Sequence, residues 1–110
     1  MKKKKIKKFS KAIIKFLEQE GDVRVTQLSE FNSRVIIDKK NLQFLLVQTY
    51  WNKNNFKYHL SCHIEIRDDK IVILQCNMDV DLERAFNYLG ILTKHIILAN
   101  SPKYLLDLKE

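Results

Sequence analysis

Four polar residues whose side chains could do chemistry alternate along one predicted strand: His59, Ser61, His63 and Glu65. Alternation puts all of them on one face, because successive side chains of a strand point to opposite faces. The two histidines would stand roughly 13 Å apart along that strand, too far to share a metal ion. His63 and Glu65 could exchange a proton, but no nucleophile or oxyanion donor accompanies them. We therefore expect a polar strand on a half-exposed face and no metal site.

The other reactive groups have structural explanations. Asp79, Asp81 and Glu83 lie where a helix begins, and acids in a first turn favourably oppose the helix dipole. Cys62 and Cys76 form no CxxC motif, and the strand register derived below places them on opposite faces, so we expect them not to pair. The two glycines of the whole chain cannot build a phosphate-binding loop. The sequence thus predicts a protein that is not an enzyme and carries no cofactor.

The net charge of +7 comes from one short segment. Residues 2–15 hold eight lysines and no acid, whereas the rest of the chain has 12 basic and 13 acidic residues. Such a distribution indicates a basic arm on a nearly neutral body. We assign the arm to residues 1–8, leading into the first helix. Its candidate nucleic-acid contacts are Lys2, Lys3, Lys4, Lys5, Lys7 and Lys8.

Periodicity predicts one α+β domain over residues 1–110. Apolar residues at helical spacing predict a helix over residues 5–20, ending at Gly21, with Ile6, Phe9, Ile13, Phe16 and Leu17 facing a sheet. Four β-rich segments separated by polar turns then predict an antiparallel meander, with strands over residues 34–38, 42–51, 56–66 and 70–76. A second helix from Asp79 or Asp81 to Gly90, a short strand over 95–99 and a short C-terminal helix entered at Ser101-Pro102 complete the prediction.

Strand pairing assigns side chains to two faces. A two-residue turn at Asp68-Asp69 pairs Ile66 with Ile71 and Ile64 with Ile73, and the Asn-rich loop pairs Trp51 with Phe56. Continued down the strand, this register pairs Leu45 with Cys62. The covered face then carries Leu45, Val47, Trp51, Phe56, Tyr58, Leu60, Cys62, Ile64, Ile66, Ile71 and Ile73. The other, mixed face carries Leu42, Phe44, Leu46, Gln48, Tyr50, Lys57, His59, Ser61, His63, Glu65, Val72, Leu74 and Cys76.

The mixed face is the predicted docking surface for a protein partner or a second copy of the chain. Its candidate residues are Phe44, Leu46, Tyr50, His63, Glu65, Val72 and Leu74. An alternative is a nucleic-acid-binding module, in which the lysine arm acts with aromatic and basic residues of the region 51–58. Trp51, Phe56 and Tyr58 would stack bases in that alternative, but the register above makes them core.

A combination of residues resembles the fdxN element excision controlling factor family, the XisI-like proteins of cyanobacteria. The pattern comprises Asp38, Phe44, Trp51, Tyr58, CHIEIRDDKIVILQ over residues 62–75, Gly90 and IILA over 96–99. Asp69, Val72 and the stretch 76–79 depart from the family pattern, as does the lysine run.

The resemblance implies control of site-specific DNA excision by a regulatory protein that works beside a nuclease-like partner of XisH type. It carries over no catalytic residue. No apolar run approaches the roughly 20 residues of a membrane span, and the basic N-terminal segment lacks the apolar h-region of a secretory signal, so we expect a cytoplasmic protein and no membrane partner. Lysine outnumbers arginine 16 to 4, which fits AT-rich coding and keeps the plastid stroma open as a second compartment.

Overall fold

A computed structural model describes residues 3–21, 29–78 and 80–99. The elements are α1 (Lys3–Gly21), β1 (Ser29–Asp38), β2 (Gln43–Asn52), β3 (Asn55–Arg67), β4 (Lys70–Cys76), α2 (Leu82–Tyr88), a 3-10 turn (Thr93–His95) and β5 (Ile96–Leu98). The strands form one sheet in chain order, antiparallel from β1 to β4, with β5 parallel to β4. The α+β prediction is confirmed; the expected C-terminal helix lies outside the described residues.

Helix α1 buries the apolar stripe that the sequence predicts. Phe9, Ile13, Phe16 and Leu17 are buried, together with Ala12. Each of the four large side chains contributes on the order of 1.5–3 kcal/mol when it leaves water. The helix begins at Lys3, two residues before its predicted start, so residues 3–8 of the predicted basic arm belong to the helix itself.

The C-terminal end of α1 lies directly against the sheet. A Cβ atom on Gly21 would stand 3.2 Å from Leu46 Cδ1 and 3.3 Å from Ser33 Cβ. Both distances are tighter than ordinary van der Waals contact, so a larger residue would push the helix end away from β1 and β2. Gly21 therefore does more than stop the helix, which is the role that the sequence suggests for it.

The core lies between α1 and one face of the sheet, which we call the inner face. Phe44 and Leu46 of β2 are buried there with Cys62, Ile64 and Ile66 of β3 and with Ile71 and Ile73 of β4. Phe86 of α2 closes the side of this core, its ring centroid 4.9 Å from that of Phe16. We call the opposite face of the sheet the outer face.

An extra residue in β3 determines which side chains reach the inner face. Val47 pairs with Leu60 as predicted, but the next residue of β2, Leu46, pairs with Cys62, so that Ser61 is left without a cross-strand partner. This is a β-bulge, which reverses the alternation of one strand relative to its neighbour. The predicted pairing of Leu45 with Cys62 is therefore wrong, and Leu45 pairs with His63.

Because of the bulge, part of each predicted face lies on the opposite side of the sheet. Cys62, Ile64 and Ile66 lie on the inner face as predicted. The remaining β2 and β3 residues of the predicted covered face belong to the outer face: Leu45, Val47, Trp51, Phe56, Tyr58 and Leu60. The predicted mixed face is wrong for the same reason. Its members Phe44 and Leu46 lie in the core under α1, where Phe44 is 1% exposed.

A second bulge occurs in β4. Ile64 pairs with Ile73, but His63 pairs with Gln75, so that Leu74 is the extra residue. Beyond it, Cys76 pairs directly with Cys62. The expectation that the two cysteines point to opposite faces is therefore wrong, since residues directly opposite each other share a face.

The turns follow the sequence signals more closely than the faces do. Asp68 and Asp69 both have positive φ, of 48° and 63°, which is the type I′ geometry of a two-residue hairpin. The pairing of Ile66 with Ile71 is confirmed. Asp81 caps α2 by accepting a hydrogen bond from Arg84 N at 3.1 Å, and Gly90, with φ of 88°, follows the end of the helix.

The burial of Phe44 gives the first prediction. Phe44→Ala should lower the free energy of unfolding by about 3–5 kcal/mol, because it leaves a cavity beneath α1. Leu74→Ala is the control, since Leu74 is 36% exposed and should cost roughly 1 kcal/mol or less. Urea unfolding of both variants measures the difference. Equal losses would mean that the two residues share an environment, as the predicted mixed face required.

Candidate functional site

The polar row of β3 is divided between two faces. His59 pairs with Gln48 on the inner side of the sheet, whereas His63 pairs with Leu45 on the outer side. Ser61 lies at the bulge between them and is buried. The predicted alternation of these residues onto one face is therefore wrong, and the two histidines belong to separate polar clusters.

The inner-side cluster is a hydrogen-bonded row across three strands. Ser61 Oγ donates to Gln48 Oε1, and Gln48 Nε2 donates to Ser33 Oγ at 3.2 Å. The row satisfies the polar groups of a buried hydroxyl at the bulge, which would be costly to leave without partners. Ser61 is thus held in a structural network and not paired with a base that could activate it.

The outer-side cluster is built on Gln43, a residue that the sequence analysis did not single out. Gln43 Oε1 lies 2.7 Å from His63 Nε2, and Gln43 Nε2 donates to Glu65 Oε2 at 2.8 Å. The glutamine amide thus lies between the two groups, each of which it binds directly. His63 and Glu65 form the polar flank of the outer face.

The far ends of β2 and β3 expose aromatic residues on the outer face. Trp51 is 38% exposed, Phe56 55% and Tyr58 66%. The Trp51 and Phe56 rings meet edge to face, with centroids 5.4 Å apart. The prediction that these residues are core is wrong, because the Ser61 bulge turns them away from α1. We call Trp51, Phe56 and Tyr58 the aromatic end.

The other side of the same strand ends is aromatic as well. Tyr50 stacks between Phe31 and His59, at centroid distances of 6.1 and 5.6 Å. The Tyr50 hydroxyl also lies 3.0 Å from His59 Nε2. These contacts link β1, β2 and β3 and hold the strands in place beneath the aromatic end.

The seven predicted partner-binding residues do not form one surface. Phe44 and Leu46 are core, and Val72 is buried as well. Tyr50 is half-buried in the inner-side stack, and Leu74 is the bulge residue of β4. His63 and Glu65 lie together on the outer face, and Val72, which pairs with Glu65, shares that face but is buried. The exposed apolar residues of that face are instead Ile36 and the aromatic end, with half-buried Leu45 and Leu60 between them.

The first lysines of α1 lie at the opposite end of the sheet. Lys3, Lys4, Lys7 and Lys8 are exposed, while Lys5 Nζ stands 3.9 Å from Asp69 in the β3–β4 turn; Lys2 lies outside the described residues. The aromatic end and this turn are separated by the 13 residues of β3, roughly 40 Å. The structure therefore does not bring the lysines and the region 51–58 together.

A groove between α1 and α2 is lined by lysines. Lys8, Lys11 and Lys15 stand along one side, with Tyr88 and Leu89 on the other. Tyr88 is 88% exposed. Lysines spaced by three and four residues fall on one helix face, so the sequence alone could have predicted the row of lysines. It could not have predicted that Tyr88 lies opposite them.

His95 packs against the first half of α1. Partial burial, and then the charges of Lys5 and Lys94, lower the pKa of His95. The imidazole ring packs on Phe9, with ring centroids 5.4 Å apart. A histidine held among lysines in this way loses its proton more readily than a free one.

Asp38, part of the family pattern, has a structural role at the end of β1. Its carboxylate accepts hydrogen bonds from the backbone N–H groups of Lys40 and Asn41, both at 3.1 Å, and from the Asn41 side chain at 2.8 Å. These bonds, those of Asn41 first, hold the pKa of Asp38 below its usual range. The residue forms the turn into β2 and contacts no other functional group of the described chain.

Residues 3–21, 29–78 and 80–99 contain neither a metal-binding cluster nor a membrane-spanning helix. No cluster of three or more His, Cys, Asp or Glu side chains that could hold a metal ion occurs there. Within the same ranges, no helix has the length and hydropathy required to cross a lipid bilayer.

Comparison with solved structures finds close likeness in fold. A XisI-like protein from Anabaena variabilis ATCC 29413 matches with a TM-score of 0.74 and 21% identity, over 90% of each chain. The fdxN element excision controlling factor XisI from the same organism matches with a TM-score of 0.71 and 21% identity, over 90% of this chain and 96% of that one. No curated protein matches significantly. At this identity the two structures establish the fold alone.

The family itself is established by sequence. The family model described as XisI protein matches residues 2–110, which is nearly the whole chain. The resemblance drawn from Asp38, Trp51, Tyr58 and the stretch 62–75 is confirmed by this match. The chain therefore belongs to the XisI family.

Proposed function

We propose that this chain is a non-enzymatic accessory factor in the control of DNA-element excision, and that it acts by docking a protein partner on its outer face. Membership of the XisI family supports the excision role. The proposed partner is a nuclease-like protein of XisH type, with self-association as the other outcome of the test. Such a factor acts in the compartment that contains the DNA, which is either the cytoplasm or the plastid stroma.

The exposure of the aromatic end is the observation that carries this proposal. Large aromatic side chains that remain exposed in a folded domain dominate the binding energy of protein interfaces when a partner buries them. The Gln43–His63–Glu65 cluster lies farther along the same face and supplies hydrogen-bonding groups of the kind found at an interface rim. The inner-side stack of Phe31, Tyr50 and His59 holds the strand ends in position, which lowers the entropic cost of binding.

Two exposed tyrosines provide a matched test of the docking face. Tyr58→Ser should weaken binding to a purified XisH-type partner about tenfold or more, whereas Tyr88→Ser should leave it within twofold. Truncation of a central interface aromatic typically costs at least 1–2 kcal/mol. Isothermal titration calorimetry measures the affinities, and light scattering of the chain alone measures self-association. If both variants bind the partner as tightly as the wild type does, the outer face is not the docking surface.

A second candidate function is binding of single-stranded nucleic acid in the α1–α2 groove. The specific observation is that three lysines of α1 face the exposed Tyr88 across the groove. Lysines attract the phosphate backbone, and an exposed aromatic ring offers a surface on which a base can stack. The aromatic end takes no part in this candidate, because it lies at the other end of the sheet.

Salt dependence tests the groove. Replacing Lys8, Lys11 and Lys15 together with Gln should reduce the slope of log affinity against log salt by about two, at roughly 0.7 per lost phosphate contact. The matched control changes three exposed lysines in turns, Lys39, Lys40 and Lys53, to Gln. Fluorescence anisotropy with a labelled oligonucleotide supplies both slopes. An unchanged slope in the groove variant would reject this second function and leave the first one standing.

A further inference from the structure

Cys62 and Cys76 are close enough for a disulfide to form between them. They are directly opposite each other on β3 and β4, and both are free thiols. The backbone N–H of Asn77 donates to the Ser61 carbonyl at 2.9 Å. A hydrogen bond between the residues that flank an opposed pair marks it as a non-hydrogen-bonded pair, with Cα atoms about 4.5 Å apart. That separation lies within the range of roughly 4.4–6.8 Å that a disulfide spans.

The two thiols differ in access and in acidity. Cys62 is 0% exposed, whereas Cys76 is half-buried at the end of β4. The Cys62 thiol donates a hydrogen bond to the Cys76 sulfur, and this bond is the main reason why the pKa of Cys76 is lowered to about 7. The same bond, followed by burial, raises the pKa of Cys62. Glu20 of α1 is the charged group facing the pair, and it opposes ionisation of both thiols.

We propose that Cys62 and Cys76 form a redox-active dithiol that low-molecular-weight disulfides, of which glutathione disulfide is the probe, convert to a cross-strand disulfide. The inference stands on the opposed pair alone and does not depend on which partner the outer face or the α1–α2 groove binds. Its chemistry follows from the different access of the two sulfurs. The accessible Cys76 is the attacking thiol, and the buried Cys62 resolves the intermediate.

The reaction balances in two exchange steps. The Cys76 thiolate attacks one sulfur of glutathione disulfide, forms a mixed disulfide and releases one glutathione thiolate. Cys62 then attacks Cys76 Sγ, its proton passes to the departing sulfur, and the second glutathione leaves. The two protein thiols are oxidised, and one glutathione disulfide is reduced to two molecules of glutathione.

Alkylation and intact mass test the proposal on the full chain. Native protein in excess glutathione disulfide should lose both alkylatable thiols and two hydrogens in mass, while it remains a monomer on a non-reducing gel. The initial rate should rise with pH through a midpoint near 7, which is the pKa of Cys76, because the thiolate is the attacking species. Two free thiols after incubation, or a disulfide between two chains, would overturn it.

Single variants separate the roles of the two cysteines. Cys62→Ser should stop at a mixed disulfide with one glutathione, whereas Cys76→Ser should lose at least nine-tenths of the initial rate. Cys62→Ala repeats the first experiment without placing a hydroxyl in the core, and circular dichroism verifies that each variant is folded. Equal rates for the Cys62 and Cys76 variants would contradict the assignment of Cys76 as the attacking thiol.

Discussion

The arrangement of the molecule depends on one extra residue in β3. α1 can bury its apolar stripe only if the sheet presents apolar side chains in a continuous patch, and Ile64 and Ile66 supply them in β3. Ser61 lies just before that stretch and reverses the alternation of the strand. Without the bulge, Phe56 and Tyr58 would point to the same side as Ile64. With it, the strand is aliphatic toward α1 at one end and aromatic toward the outer side at the other.

This reversal gives a small domain two distinct surfaces. The core is formed by the part of the sheet that lies beneath α1. The strand ends beyond Gly21 do not contribute to it, and their aromatic residues can therefore remain exposed. Lys5, near the start of α1, lies at the other end, beside the β3–β4 turn. The outer face that we propose for protein docking and the α1–α2 groove that we propose for nucleic acid therefore share no residues, and each can be altered without changing the other.

Local signals in the sequence predict the elements well and their faces poorly. The stripe of Phe9, Ile13 and Phe16, the turn at Asp68-Asp69 and the capping Asp81 are all readable, because each depends on neighbours in the chain. A bulge leaves no comparable local mark. Ser61 and Leu74 are ordinary strand residues, and only the pairing of strands reveals that they are extra. Each one-residue error then moved a whole set of side chains to the wrong face, including Phe44, Tyr58 and Cys76.

The most direct measurement uses Trp51, the single tryptophan of the chain, which reports on the aromatic end alone. In the free protein its emission should be that of a partly solvated indole and should be readily quenched by acrylamide, since the side chain is 38% exposed. Titration with a purified XisH-type protein, or concentration of the chain itself, should shift the emission to shorter wavelength and protect it from quenching. A buried-type emission from the free monomer, or an emission that stays the same in a demonstrated complex, would contradict the outer face as the docking surface.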